Sequence, residues 1–162
     1  MSRYEEAINR IDAANAEDPR EELVEGGTVP KELIYGRRMS AWLEKLRPDA
    51  PEALRLAARA QHIRRWEVPR ESYPMDRTGY LMWRKGLYRF HADTAAAILR
   101  DVGYDQETIE RMSFLLQKKQ LTRDPDTQSL EDAACLVFLQ YHITEFAART
   151  DPDKMMGIIK KT

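Results

Sequence analysis

The sequence predicts an all-α protein, a single domain over residues 1–162 that folds as a bundle of about six to seven helices. Over most of the chain, apolar residues recur at the three- and four-residue spacing of amphipathic helices. Prolines and glycines fall mostly between these segments, where helices end. No segment shows a convincing alternation of apolar and polar residues, which would indicate a β-strand. With 162 residues, 43% of them hydrophobic, the chain is long enough to bury a core.

Three helices are predicted in the first part of the chain. Apolar residues at positions 7, 8, 11 and 14 mark the first helix, which ends near "EDP". The stretch "REELVEGGTVPKEL" is predicted to be a loop, because its glycine pair and Pro30 break regular structure. A second helix covers about residues 31–46. A third begins near Pro51, since proline suits a first helical turn, and is predicted to run to about Trp66.

The rest of the chain contains four more predicted helices. Residues 67–78 include two prolines and are expected to be irregular. A long helix follows over about 80–102, and another spans about 105–120. The stretch of about 129–148 is the most apolar, so we predict that this helix lies at the centre of the core. The last helix begins at 151–152, where an aspartate caps it and a proline occupies its first turn.

Positive charge is concentrated in the middle of the chain. Residues 55–91 hold nine of the 26 Lys and Arg residues but only three of the 27 Asp and Glu residues, a local net charge of +6 in a chain whose total is −1. This imbalance favours an anionic partner for the segment. The alternative is that these arginines pair with acidic residues elsewhere in the same fold.

The predicted third helix would place four notable side chains on one face. Arg55, Arg59, His62 and Trp66 recur there at helical spacing, and the guanidinium groups should discourage protonation of His62. Guanidinium groups bind phosphate or carboxylate through paired donors, and aromatic faces can stack a base. The following stretch, "RESYPMDRTGYLMWR", would form a pocket wall over this face. In the alternative interpretation, the aromatics are core residues and the arginines are their solvated rim.

Histidines and carboxylates are the candidate catalytic groups. The sequence has no His-x-x-x-His, Glu-x-x-His or Cys-x-x-Cys pair, and so no strong local metal motif. His62, His91 and Asp132 lie on different predicted helices, as in metal sites built between facing helices, and we predict them as catalytic residues and metal ligands. His142 is predicted to be a core or rim histidine. Cys135 lies in an apolar stretch without a basic neighbour, so we do not expect it to be a nucleophile.

Five segments carry a resemblance to a known family: "NAEDP", "PKELIYGRRMSAWL", "AARAQHIRRWEVPRESYPMDRTGYLMWR", "FHA" and "SLEDAACLVFLQYH". Across nearly the whole chain the sequence resembles the domain-of-unknown-function 4202 family. That resemblance implies no particular activity. Similar sequences run on briefly after "IIKKT", so we expect that this chain ends early, with a truncated C-terminus.

A second, more distant resemblance is carried by "YGRRM", "AARAQHI", "HADTAAAIL" and "LEDAACL". These segments follow in the order of the motifs of the HD superfamily of metal-dependent phosphohydrolases. The resemblance implies an HD-like helical fold and a divalent ion (Mn, Fe, Zn or Ni) that polarises a phosphoester and activates a water. The ligands have drifted, because Tyr35 and Gln61-His62 stand where that family has histidine and a His-Asp pair. Only Asp132 and His62, helped by His91, could still bind the ion, and a site with few ligands holds metal poorly.

These observations predict a phosphorylated small molecule, a nucleotide, as the ligand. The residues predicted to bind it are Arg38, Arg59, Arg65, Trp66, Arg70, Arg77, Tyr80 and Trp83. The HD resemblance adds hydrolysis, with His62 as general base or metal ligand. The alternative is a non-catalytic module that binds RNA or an acidic protein surface through the basic 55–91 segment. A third interpretation is a homodimer whose interface is the aromatic part of that segment.

The remaining expectations concern the compartment. The single cysteine excludes an internal disulfide and fits a reducing compartment. The N-terminus is charged within three residues and lacks the apolar core of a signal peptide. No run approaches 18 apolar residues, so we expect no membrane span. A soluble cytoplasmic protein is therefore predicted.

Overall fold

The computed structural model describes residues 1–161, except for the side chains of residues 159 and 161. Eight α-helices and one small β-hairpin follow one another in these residues, which confirms the all-α prediction. The elements are α1 Arg3–Asn15, β1 Glu21–Val24, β2 Gly27–Pro30, α2 Lys31–Leu46, α3 Glu52–Arg59, α4 Arg77–Val102, α5 Gln106–Leu116, α6 Pro125–Val137, α7 Ile143–Ala148 and α8 Pro152–Lys161. No helix in this part of the chain is both long enough and apolar enough to cross a lipid bilayer.

Side-chain caps explain where most helices begin. Ser2 accepts a hydrogen bond from the Glu5 N–H, and aspartates cap α4, α5, α6 and α8 in the same way. The predicted cap of the last helix is confirmed, because the Asp151 carboxylate accepts the Lys154 N–H at 3.1 Å. At the other end of α4, Gly103 has φ +99°, a left-handed conformation that ends the helix.

The stretch predicted as a loop after α1 is in fact a β-hairpin. Glu21 pairs with Pro30 and Val24 with Gly27 in an antiparallel register. Each strand has only four residues, so the alternation is too short to distinguish from a loop in the sequence. Gly26 and Gly27 have φ values of +92° and +145°, and supply the turn.

Helix α3 ends at Arg59, seven residues before the predicted end at Trp66. Residues 60–64 form turns, Arg64 is left-handed with φ 52°, and Arg65–Glu67 is a short 3₁₀ turn. Arg64 is held in this conformation because its N–H donates to the Asn15 side chain at 3.1 Å. The predicted single helical face of Arg55, Arg59, His62 and Trp66 is therefore wrong, since the chain turns between the second and third of these residues.

Two other predicted helices have different limits. The predicted 105–120 helix stops at Leu116, because Lys118 and Gln120 are left-handed with φ 59° and 55°. The predicted 129–148 helix begins earlier, at Pro125, and a π-helical turn over Phe138–His142 divides it into α6 and α7. Such wider turns are frequent at functional sites.

The central element of the core is α3 and not the stretch 129–148 as predicted. Helix α3 packs against α1, α2, α5 and α6, and five of its eight residues are buried. In α6, by contrast, only one face is buried, and Asp132 on the other face is exposed. The core prediction was wrong because α3 is short and alanine-rich, so that its burial on several sides does not show as a long apolar run.

Two glycines allow close backbone approaches that position the site. A Cβ atom on Gly36 would lie 2.8 Å from the Arg59 carbonyl oxygen, where α2 crosses the end of α3. A Cβ atom on Gly79 would lie 1.9 Å from the carbonyl oxygen of Pro74. The first turn of α4 therefore fits against the preceding loop only if residue 79 has no side chain.

We predict that Gly79→Ala destabilises the protein. The added methyl would overlap backbone, which cannot move like a side chain, so the free energy of unfolding should fall by about 1–3 kcal/mol, the usual cost of overpacking. Urea denaturation followed by circular dichroism measures this change. Gly157→Ala is the matched control: its Cβ meets nothing within 4 Å, and it lies in a helix. That variant should be neutral or more stable, and an equal loss of stability in both variants would contradict the prediction.

Candidate functional site: a two-lobed Arg/His cleft

A cleft with two adjoining lobes lies between the turns after α3, the start of α4 and the helices α6 and α7. The hairpin lobe, about 660 Å³, also reaches Arg20 and Glu22 beside the hairpin. The α6 lobe, about 720 Å³, reaches Lys118 and the exposed face of α6. We call the residues that line both lobes the waist: Tyr35, His62, Arg65, Trp83, Ala134, Phe138 and Phe146.

A chain of three side chains crosses the waist. The Nδ1 atom of His62 lies 3.1 Å from Oε1 of Glu32, and Arg65 Nη1 lies 2.8 Å from His62 Nε2. A carboxylate can only accept, so the contact with Glu32 fixes the tautomer: Nδ1 carries the proton and Nε2 is an acceptor. Arg65 Nη1 also lies 3.5 Å from Nδ1, so the guanidinium lies over the ring beside Nε2. Glu32 thus orients the imidazole in the way that a carboxylate orients a catalytic histidine.

Glu32 is itself held by the segment that precedes the hairpin. Its N–H donates to Asp18 Oδ2 at 3.0 Å, and Arg20 Nη2 donates to Glu32 Oε2 at 2.7 Å. Arg20 also bonds the Asp18 carboxylate. Burial would raise the pKa of Glu32, but His62, Arg20 and Arg65 outweigh it and hold the pKa at about 2. Glu32 is therefore a buried anion with a complete set of donors.

Two aromatic side chains lie next to the imidazole of His62 in the cleft wall. The Tyr35 ring stacks on it with centroids 3.7 Å apart and an interplanar angle of 3°, and the His91 ring lies 6.1 Å away. His91 is buried, and its Nδ1–H donates to the Ile63 carbonyl at 2.9 Å. Burial lowers the pKa of His62 to about 4, although the Glu32 carboxylate opposes the shift, and burial lowers the pKa of His91 to about 3. The positive charge of Arg65 adds to both effects. Both rings are neutral at pH 7.

A lysine closes the floor of the α6 lobe. Lys118 Nζ donates to Gln61 Oε1 at 2.8 Å and pairs with Glu131 Oε1 at 2.7 Å. Burial lowers the pKa of Lys118, although Glu131 opposes the shift. On the rim of the same lobe, Gln128 donates to the Asp132 carboxylate at 2.8 Å.

The arginines that line the cleft differ in their partners from most other arginines that are at least partly shielded from solvent. Seven arginines that are at least partly shielded from solvent pair with carboxylates: Arg20, Arg38, Arg47, Arg55, Arg59, Arg64 and Arg111. Three arginines that line the cleft bond to neutral groups instead. Arg65 bonds His62, Arg70 bonds the carbonyls of Tyr73 and Asp76, and Arg84 bonds the Tyr80 and Tyr88 hydroxyls. Over the described part of the chain, no carboxylate forms an ion pair with these three.

Aromatic side chains lie next to these three guanidinium groups. The Arg65 guanidinium lies 5.3 Å from the centre of the Trp83 ring, and Tyr80 packs against the same indole at 5.9 Å. Trp83 Nε1 donates to the Val68 carbonyl at 2.8 Å, which fixes the indole and ties the 3₁₀ segment to α4. Trp66 lines the hairpin lobe. The cleft therefore offers flat apolar faces beside positive charge.

The structure brings most of the predicted site residues together. Eight of them line the cleft: His62, Arg65, Trp66, Arg70, Tyr80, Trp83, His91 and Asp132. Arg59 instead forms a two-pronged ion pair with Asp12, both distances being 2.8 Å. Arg38 pairs with Glu22 and lies 3.8 Å over the Tyr141 ring. Neither of these two, nor Arg77 in the first turn of α4, is among the residues that line either lobe.

Among the residues of the cleft that were missed in the sequence are Arg20, Glu32, Arg84 and Lys118. Arg84 carried a signal, since it stands in the basic segment between aromatic residues. Glu32 and Arg20 carried none, because the stretch around them reads as a loop and a helix start. Lys118 lies beyond the end of α5 in a left-handed turn that the helical pattern concealed.

The arrangement does not favour a divalent ion. Both ring nitrogens of His62 have partners, and one of His91 donates to a carbonyl. Among the residues described here, no group of three or more His, Cys, Asp and Glu side chains could hold a metal. The expected Mn, Fe, Zn or Ni stays a prediction.

We predict that the protein loses stability as the pH falls below about 6.5. His62 and His91 have pKa values of about 4 and 3 in the folded state against an ordinary 6.5. The unfolded chain therefore binds more protons in this window, and stability is present above pH 6.5 and lost on acidification. We expect a loss of about 1–2 kcal/mol per histidine between pH 7 and pH 5.

Urea denaturation at pH 7, 6 and 5 measures this loss. His91→Asn is the informative variant, because an asparagine amide can still donate a hydrogen bond to the Ile63 carbonyl but does not titrate. It should show a smaller drop in unfolding free energy between pH 7 and pH 5. Equal stability of the unmodified protein at both pH values would contradict the assignment of neutral, buried imidazoles.

Comparison with known proteins gives one match. A family model described as a domain of unknown function, DUF4202, matches residues 5–162. Searches among curated proteins and among solved structures each found no match. The resemblance to the HD superfamily therefore gains no support from known folds, whereas the family resemblance is confirmed over nearly the whole chain. The chain is a member of the DUF4202 family.

Proposed function

We propose that this protein binds a phosphorylated small molecule, a nucleotide, in the two-lobed cleft. One observation carries the proposal: Arg65, Arg70 and Arg84 line the cleft and bond only neutral groups, whereas Arg20, Arg59 and several other arginines are paired with carboxylates. A guanidinium without a carboxylate partner keeps its charge available for an anion, and its planar donors match a phosphate group.

Aromatic rings beside these arginines favour a nucleotide over inorganic phosphate. Trp83 lines both lobes, Tyr80 lines the α6 lobe and Trp66 lines the hairpin lobe. A base stacked on such a ring contributes binding energy with little dependence on its identity. Each lobe also has the volume of a typical small-molecule pocket.

The arrangement around His62 supports hydrolysis of a phosphate ester as the reaction. A phosphate at the waist would draw Arg65 toward itself and free the lone pair on His62 Nε2. A water molecule then attacks phosphorus, and its proton passes to Nε2 while the P–O ester bond breaks. The leaving oxygen takes up that proton, which returns the imidazole to its neutral form. Glu32 stabilises the imidazolium in between, as the carboxylate of a triad does.

The same arginine partners argue against the alternative of an RNA-binding surface. Several of the basic residues that such a surface would use are engaged by acidic groups, including Arg55, Arg59 and Arg64. Three basic residues of the segment that are not paired with a carboxylate, Arg65, Arg70 and Arg84, line the cleft, where a compact ligand can reach them. An extended strand would need the charge along an open face.

We predict that Arg65→Ala weakens the binding of ADP at least tenfold in isothermal titration calorimetry, because a charge-assisted pair to phosphate is lost. Arg89→Ala is the matched control. It removes an arginine of α4 that is 81% exposed and faces away from the cleft residues, and should leave the affinity unchanged.

Binding should weaken only modestly between 50 and 200 mM salt. Tight binding of single-stranded RNA with a steep salt dependence, in place of ADP binding, would favour the alternative.

We predict that His62→Asn abolishes phosphate ester hydrolysis but retains ligand binding. Asparagine can keep the hydrogen bond to Glu32 but cannot accept a proton, so the turnover rate should fall by about 10²–10⁴. Release of inorganic phosphate or of a nucleoside monophosphate from a panel of nucleotides measures turnover, and titration of ADP measures binding. An unchanged rate in this variant would remove His62 from the mechanism.

A further inference from the structure

We infer that the ligand is a two-headed phosphate ester, in which an internal phosphate or pyrophosphate joins two organic groups, one in each lobe. The inference rests on the proposed function and narrows its ligand class. The geometry that points to it is the division of the cleft into two lobes whose shared wall includes His62 and Arg65.

Each lobe is large enough for an organic group of its own. Their volumes, about 660 and 720 Å³, each fall in the range of a complete small-molecule pocket. A nucleoside monophosphate that placed its phosphate at the waist would fill one lobe and leave the other to water. A ligand with groups on both sides of its phosphate would use the whole cleft.

The positive charge is distributed in the same two-sided way. Arg65 lies at the waist, Arg70 lines only the hairpin lobe, and Arg84 lines only the α6 lobe. A terminal phosphate needs charges gathered at one end of a pocket. Charges at the centre and on both sides suit a phosphate in the middle of the ligand.

Both lobes have walls suited to an organic group. The hairpin lobe presents Trp66, Val68 and Pro69, which form a largely apolar wall beside Arg70. The α6 lobe is lined by the rings of Tyr80 and Tyr88 and by Gln128 and Asp132, whose side chains bond each other. Ring faces of this kind can stack on a heterocycle, and the carboxylate and amide oxygens can accept hydrogen bonds from its amino groups.

The position of the internal phosphate determines what hydrolysis would produce. With phosphorus at the waist, the attacking water lies next to His62 Nε2, and its oxygen forms the new bond to phosphorus. The P–O bond to one head breaks, and that head leaves with the proton taken up through His62. The products are two one-headed compounds, one in each lobe.

The test compares diadenosine diphosphate with ADP by isothermal titration calorimetry. Both probes contain two phosphates, but ADP has one head and the greater negative charge. Charge alone therefore favours ADP. A second head bound in the other lobe should instead make diadenosine diphosphate bind at least tenfold tighter, since linking two binding groups raises affinity without new charge.

Two single-lobe variants locate the heads. Arg70→Gln and Arg84→Gln remove one charge from each lobe, and glutamine can still donate to the carbonyls or hydroxyls that these arginines contact. Both variants should weaken the binding of diadenosine diphosphate by about tenfold, whereas only one of them should weaken the binding of ADP. Thermal unfolding monitored by circular dichroism identifies any variant that has lost its fold, and Arg89→Ala again serves as the control.

The outcomes separate this inference from the proposed function. If ADP binds as tightly as diadenosine diphosphate and Arg65→Ala still weakens it, the two-headed ligand is overturned and the nucleotide cleft stands. If Arg65→Ala does not weaken the binding of either probe, the two-headed ligand and the proposed nucleotide-binding function are both overturned. Weakening of the two-headed probe by the variant of one lobe alone also overturns the inference.

Discussion

The cleft depends on one physical constraint, the burial of the Glu32 carboxylate. A buried anion is tolerated only if donors surround it, and here the donors come from distant parts of the chain. Arg20 precedes the hairpin and His62 follows α3. The compensation of a single charge thus fixes the start of α2, the segment before the hairpin and the turn after α3 relative to one another.

That arrangement defines the chemistry of His62. With the carboxylate on one side and a guanidinium on the other, the imidazole has one tautomer and one orientation. Burial and the charge of Arg65 keep its pKa low, so it is a neutral acceptor. The same features that satisfy a buried charge therefore leave a base pointing at the waist, masked by an arginine that an anion can attract.

The turn after α3 places the side chains of Ile63 and Arg65 on opposite sides of the chain, one in the core and one in the cleft. Because Arg64 is left-handed, the chain reverses between Ile63, which enters the core, and Arg65, which enters the cleft. The Ile63 carbonyl accepts from His91 of α4, which fixes the turn to the longest helix. A left-handed non-glycine residue costs energy, and such strain is concentrated at functional sites.

Much of the fold could be predicted from the sequence because its signals are local. Helix starts follow from aspartate and serine caps, and the limits of α2 agree with the predicted 31–46 because Pro30 and the apolar periodicity act within a few residues. The end of α3 was not predictable in this way, since Asn15 and Ala14, some 50 positions away, hold the turn at Arg64.

The candidate site shows the same limit. The basic, aromatic character of residues 55–91 pointed to an anion site, and eight of the predicted residues line the cleft. Composition does not indicate which arginines are already engaged. Arg59 meets Asp12 across 47 positions and Arg38 meets Glu22 through the hairpin, and these partners become apparent only when the chain is folded.

The partners of an arginine thus say more about its role than its position in a basic segment does. In an arginine–carboxylate pair, the carboxylate has replaced the water around the guanidinium group. An incoming phosphate would have to displace that carboxylate. An arginine held by a carbonyl or a hydroxyl is oriented without being neutralised, so a phosphate gains nearly its full charge. Arg65, Arg70 and Arg84 are of the second kind. Their neutral partners leave three oriented charges along one cleft, although Arg65 also acts on the buried Glu32 carboxylate. Charges placed in this way suit an internal phosphate with groups on both sides.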